Sequence, residues 1–241
     1  MEEYIGYTFP VFAVELTAAL TGLYYLKKNP RDFAARIFVY MLCYMVLAEF
    51  IGSYAVWAYY SDYTVFGFVE NTVFEKNYWW FNIYTLISSI LYIEYFRRQL
   101  YSKWHRRLVL YPTVLFAIIE TINLIAHPDM FFNAYSAFAN IAGTIIVLLA
   151  ISLYYYQLLN NDDILQFRTL LPFYVSVGAI ILYITHTPLF IYSKYFNTAH
   201  GMEFVEMYRS LMFITNVLVY LTYSIGFVVC LRKKGSSSSI L

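Results

Sequence analysis

Four glutamates, Glu15, Glu49, Glu94 and Glu120, each stand inside a long apolar stretch of the chain. A carboxylate in hydrocarbon costs several kcal/mol unless it is protonated, paired or facing water, so such residues are candidates for chemistry by default. His186 joins them within Thr185-His186-Thr187-Pro188, where Pro188 frees a backbone carbonyl and is expected to kink its helix. Counted along the segments described below, Glu15, Glu49, Glu120 and His186 fall at similar depth, in the outer half of a bilayer. Three carboxyls and one imidazole at one depth could line a water-filled pocket open to the outside, bind a cationic ligand or metal, or exchange protons. The alternative is that each is protonated or hydrogen-bonded to a neighbouring helix as packing glue. Asn82, Asn123, Asn140 and Asn216, on four different segments, are open to the same two readings.

Glu94 has a different sequence context. Arg97 and Arg98 follow it by three and four residues, the spacing that shares one helix face, so the three are expected to form a local ion pair at a membrane interface.

The elements that must position these groups follow from composition. Of 241 residues, 61% are hydrophobic, 22% aromatic and 13% charged, against about a quarter charged in a soluble domain. With a mean hydropathy of +0.57, this excludes a soluble globular domain, a disordered chain, a collagen-like repeat and a coiled coil. A spanning helix needs roughly 20 mostly apolar residues. Cutting the chain at its polar clusters leaves seven such segments, near 8–26, 35–60, 79–96, 108–126, 134–157, 169–192 and 206–231. None shows the alternation of a barrel strand, so the expected fold is all-α: an integral membrane bundle of seven transmembrane helices in one domain, 1–234. The Gly-Ser run at 235–241 is expected to be a flexible tail.

Charge placement orients the bundle. The connections after the first, third and fifth segments and the C-terminal tail hold thirteen of the sixteen Lys and Arg; Lys76, Lys194 and Arg209 fall on the other side. The positive-inside bias then puts the N-terminus outside and the C-terminus in the cytoplasm. Eight acids, Glu2, Glu3, Asp62, Glu70, Glu75, Asp129, Glu203 and Glu206, fall on the outer side. Trp57, Trp79 and Trp80 sit near segment ends and read first as headgroup anchors. Residues 61–77, the longest outer loop, place apolar runs on either side of Glu70-Asn71 and suggest a short hairpin or an interfacial helix, with the hairpin favoured. Met-Glu-Glu-Tyr has no basic n-region, so the first segment is expected to be retained.

Catalytic motifs are absent from the sequence. It contains no Gly-rich phosphate loop, Ser elbow or Cys-His pairing, and residues 210–231 contain no Lys for a retinal Schiff base. His105, His127 and His200 lack metal-ligand spacing, and Cys43 and Cys230 lie in apolar runs as small hydrophobes, so neither metal nor cofactor is expected. The basic stretch from Arg97 to Arg107 reads as a topology signal drawn to anionic lipid, not as a nucleic-acid site.

In the sixth segment, Leu170-Leu171-Pro172-Phe173-Tyr174, followed by Gly178 and Tyr183 and preceded by Asp162-Asp163, resembles the penultimate helix of seven-helix sensor regions found in Bacteroidetes-type bacteria. The seven-segment layout, outside N-terminus and Tyr/Phe-rich composition share that resemblance. It implies a receptor-like sensor of the bacterial cytoplasmic (inner) membrane, commonly linked to a histidine kinase or other output. Because the chain ends about ten residues after its seventh segment, the output is expected on a separate cytoplasmic or membrane signalling protein. The rivals are a small-solute or ion transporter of the 3+1+3 kind and a structural subunit of a larger membrane complex. The chain shows no internal repeat and no matching pair of Pro-broken helices to favour the transporter.

Overall fold

The computed structural model describes residues 2–192 and 202–237, with side chains over 6–162, 164–190 and 205–231. Lys194 and His200 lie outside the described residues, as do the side chains of Glu2, Glu3, Asp163, Glu203, Arg232, Lys233 and Lys234. Among the described residues the chain forms nine α-helices and no strand: α1 (Glu2–Lys28), α2 (Phe33–Gly52), α3 (Tyr54–Tyr60), α4 (Tyr78–Gln99), α5 (Lys103–Ala126), α6 (Pro128–Asn133), α7 (Ala137–Leu159), α8 (Leu171–Tyr192) and α9 (Met202–Ser237). Gly235 therefore continues α9 to Ser237, and the rest of the expected tail, 238–241, lies outside the described residues.

Local chemistry sets several boundaries. Asp32 caps α2 by accepting from the Ala35 amide at 3.0 Å, and accepts from the Tyr25 hydroxyl at 3.0 Å, which ties the turn to α1. Ser136 caps α7 through the Ala139 amide at 3.1 Å. Pro172 falls in the first turn of α8, where a missing N–H costs nothing. Ser53, between α2 and α3, keeps helical angles (φ −67°, ψ −15°), so 33–60 behaves almost as one long helix.

Among the described residues six stretches are long and apolar enough to cross a membrane: Gly6–Lys28, Phe33–Tyr60, Lys103–Ala126, Ala137–Leu159, Leu171–Phe190 and Val205–Leu231. This is the make-up of a multi-pass integral membrane protein. The expected third span, α4, is the exception. It has 22 residues, enough length, but Asn82, two serines, three tyrosines beyond its first residue and the Glu94-Arg97-Arg98 cluster deprive it of the apolar character of the others. Its surroundings explain the tolerance, for α4 packs against α2, α5 and α7, and Tyr92, Ile93, Tyr95 and Phe96 are fully buried.

Contacts run α1 to α2, α2 to α4, α4 to α7, α7 to α8, α8 to α9 and α9 back to α1, closing a ring of six helices. Helix α5 packs on α4 and α7 from outside that ring. The core is aromatic: Phe38 stands 4.9 Å from Tyr223, 5.2 Å from Tyr95, 5.9 Å from Phe227 and 6.2 Å from Tyr92 between ring centroids, and all five are fully buried.

Residues 61–77 do not form the hairpin. The chain makes a series of turns and one 3-10 turn at Gly67–Val69, and Asp62, Tyr63, Phe66 and Asn71 all adopt positive φ, each of which breaks an extended run. Hydrogen bonds to helix ends hold the loop instead. The Tyr54 hydroxyl donates to the Phe74 carbonyl at 2.6 Å and accepts from Trp79 Nε1 at 2.9 Å, while Asn77 Nδ2 donates to the Gly52 carbonyl at 2.8 Å. Trp80 Nε1 donates to the Ala48 carbonyl at 2.8 Å, so both tryptophans at the start of α4 are structural donors.

Candidate functional site

Inside the ring lies a cavity of about 280 Å³ to which all six helices contribute. Glu15 from α1, Glu49 from α2, Asn140 from α7, His186 from α8 and Asn216 from α9 all line it, so five of the eight polar candidates share one space. Glu15 and Glu49 are close enough to interact electrostatically. Glu15 is 3% exposed, and its Oε2, like His186 Nε2, is buried without a hydrogen-bond partner among the described residues. Two carboxyls in one low-dielectric space demand a proton, a cation or water between them, because like charges there cannot both stand uncompensated. Among the described residues no Lys or Arg lines the cavity to supply that charge.

The remaining three candidates do not line the cavity. Asn82 Nδ2 donates to the Phe131 and Ala134 carbonyls at 3.1 and 2.9 Å, and its Oδ1 accepts from the Ser136 amide at 2.9 Å. One side chain thereby holds the turn between α6 and α7 against α4. Asn123 Nδ2 donates to Glu120 Oε2 at 3.2 Å and to Ser136 Oγ at 3.4 Å. Glu120 is fully buried but belongs to this cluster and not to the cavity, because α5 lies outside the ring. The expectation that it shares a pocket with Glu15, Glu49 and His186 is corrected on that ground. Glu94 accepts from Arg97 Nη2 at 2.8 Å and from Arg98 Nε at 2.6 Å, and does not line the cavity.

The walls of the cavity are tyrosines that charge-based reasoning passes over: Tyr84 and Tyr92 from α4, Tyr183 from α8, Tyr208 and Tyr220 from α9, and Tyr135 before α7. Their spacing was a usable signal. Tyr84-Ser88-Tyr92 and Tyr208-Met212-Asn216-Tyr220 recur every four residues, the period of one helix face. Tyr92 in the lining shares a hydrogen bond of 2.8 Å between hydroxyls with Tyr223, which does not itself line the cavity. Thr187 lines the cavity and hydrogen-bonds Thr144 at 2.6 Å, joining α8 to α7 one residue before Pro188; α8 continues helical through that proline.

The Pro-aromatic stretch at the start of α8 has a packing role. Tyr174 donates its hydroxyl to the Arg168 carbonyl at 2.8 Å, and Phe173 meets Phe167 edge-on at 4.8 Å, which pins the preceding 3-10 segment, Asp162–Thr169. Gly178 gives up its Cβ to the ring of Tyr223.

Fold and site together define an all-helical membrane protein with an acid-lined, tyrosine-walled cavity inside a six-helix ring. Comparison with protein-family models, curated proteins and solved structures finds no match. Among the described residues no three His, Cys, Asp or Glu side chains converge as metal ligands.

Proposed function

We propose that the protein is a receptor-like sensor of the bacterial inner membrane, without enzymatic activity of its own, that passes the state of its cavity to a separate signalling protein. In this reading α4 is a seventh span, the N-terminus is outside, and the tail and the basic loops 27–36 and 97–107 face the cytoplasm, as the placement of thirteen of the sixteen Lys and Arg supports. The cavity, on the side of Lys76, is then open to the exterior medium or the outer leaflet.

One observation carries the sensor reading: Tyr92, which lines the cavity, hydrogen-bonds Tyr223, and Tyr223 is itself part of the buried cluster around Phe38. A ligand that displaces Tyr92 or Tyr220 thus acts directly on the α8–α9 packing, and that packing continues through Phe227 and Tyr25 toward the basic end. Such a tightly packed layer has discrete arrangements, and occupancy biases one of them.

A transporter is the second reading, because another cavity of about 330 Å³, lined by Tyr25, Asp32, Tyr95, Gln99 and Cys230, lies beyond the aromatic core. Transport requires that core to open. Purified protein reconstituted in liposomes separates the two. A sensor leaves solute on its original side and co-purifies with, or is cross-linked in vivo to, a signalling partner. Net solute movement overturns the sensor.

A further inference from the structure

A second depression, about 490 Å³, opens on the flank of the ring between α1, α2, α3 and the start of α4. Its lining follows one face of each helix: Thr8, Val11, Phe12 and Glu15 on α1, then Glu49, Gly52, Ser53 and Val56 through the α2–α3 junction. Phe9, Phe50 and Trp57 at its rim are 67%, 68% and 48% exposed, on a surface that meets acyl chains in a membrane. Apart from Glu15, Glu49 and a few neutral polar groups, the groove is apolar.

This groove and the interior cavity meet at three residues that line both, Glu15, Glu49 and Phe81. Phe81 can stand there because Gly52 has no Cβ, for one built at that position would lie 2.7 Å from the Phe81 ring. The two carboxyls therefore sit where an apolar channel from the membrane side meets a tyrosine-walled chamber. Glu15, almost wholly buried, keeps one oxygen unpartnered there. Among the described residues no Lys or Arg lines either space.

We propose that Glu15 and Glu49 bind the ammonium group of an amphipathic primary amine that enters sideways from the membrane, its apolar chain lying in the Thr8–Trp57 groove. This deepens the sensor reading by naming its ligand class, and rests on that reading for its consequence but not for its chemistry. An ammonium has three donors and no acceptor, matching a site whose carboxylates are acceptors. Tyrosine faces add cation–π attraction where water is excluded. The chain supplies the apolar area that a surface-accessible ammonium lacks, and places the head group at the depth of the carboxyls. The ionised pair repels anions, and a neutral amphiphile supplies no charge to hold it ionised, so the site selects by charge as well as by shape.

The test uses the full chain in phosphatidylcholine nanodiscs with N-dansyl-1,8-diaminooctane, which carries one ammonium on an octyl chain, against neutral N-octyl dansylamide. Saturable fluorescence enhancement is expected for the amine alone. Glu15→Gln and Glu49→Gln are each expected to weaken it about tenfold or more, the size of a lost charge-assisted hydrogen bond. Val56→Trp, which fills the groove without touching either carboxyl, is expected to abolish binding, and it keeps the proposal testable if a glutamate variant does not fold. Equal binding of the neutral analogue means that an acyl chain alone occupies the groove and overturns the proposal, as does binding unchanged in the glutamine variants or in Val56→Trp. Failure here is distinct from failure of the sensor reading. Amine that binds and is then carried into liposomes overturns the sensor and leaves the site standing; signalling through a partner with no amine binding does the reverse.

Discussion

Gly178 of α8 and Tyr223 of α9 are in direct contact, with the tyrosine ring occupying the space that a Cβ on residue 178 would need. The relationship is reciprocal. A Cβ on Gly226 of α9 would lie 2.6 Å from Cβ of Tyr174 on α8, so each helix offers a glycine to an aromatic of the other. Small residues that let helices approach are the usual means of association in lipid, where apolar surface gains little by burial.

Gly178→Ala must displace a fully buried ring, and overpacking of this kind costs about 1–3 kcal/mol. The thermal midpoint of the purified protein is expected to fall. Tyr223→Phe leaves the ring in place but strands the buried Tyr92 hydroxyl, a loss of about 1–3 kcal/mol by a different route. If Gly178→Ala is as stable as the parent, the close packing is wrong.

Helix α4 decides between six and seven crossings. Reporter fusions at Lys76 and Lys103, on either side of α4, are expected to be active on opposite faces of the membrane, Lys76 outside and Lys103 inside. Cytoplasmic activity from the Lys76 fusion refutes the orientation, and same-side activity from both refutes the seventh span.

Asn82 carries three hydrogen bonds to the backbone between α6 and α7. Asn82→Ala takes a partner from two half-buried carbonyls and from the buried Ser136 amide, at about 1–3 kcal/mol for each group that water does not reach. Amide exchange across 131–137 is expected to quicken while ligand binding in the cavity persists, because Asn82 does not line it. Protection unchanged in that segment contradicts the assignment.

Tyr63 gives a pH dependence outside the membrane. Its hydroxyl donates to Glu75 Oε1 at 3.0 Å, and partial burial, followed by that carboxylate and Glu70, raises the phenol above its ordinary value. A group with a raised folded pKa contributes stability that is complete below the unfolded value of about 10 and is lost as pH rises through the folded value. Titration of a labelled Tyr63 ring by NMR is expected to show a late midpoint that Glu75→Gln moves down. No movement in that variant dissociates the two groups.

The local features were legible in the chain itself. Apolar runs announce membrane helices because each spanning residue must meet hydrocarbon or another helix wherever it lies, and Glu94 finds Arg97 and Arg98 because three and four residues make one helical turn. The loop 61–77 escaped because positive φ at Asp62, Tyr63, Phe66 and Asn71 leaves no mark in apolar patterning, while its contacts to Tyr54 and Gly52 lie about twenty residues away. Depth along a helix is a count, so Glu15, Glu49, Glu120 and His186 could be set at one level from sequence. Whether groups at one level meet depends on how each helix is rotated and which neighbours it packs against. Those are decided by side chains elsewhere, such as Gly178 under Tyr223 and Asn82 on the α6–α7 turn. Only the closed ring places Glu15, Glu49 and His186 around one cavity and, by leaving α5 outside, sends Glu120 to Asn123 instead.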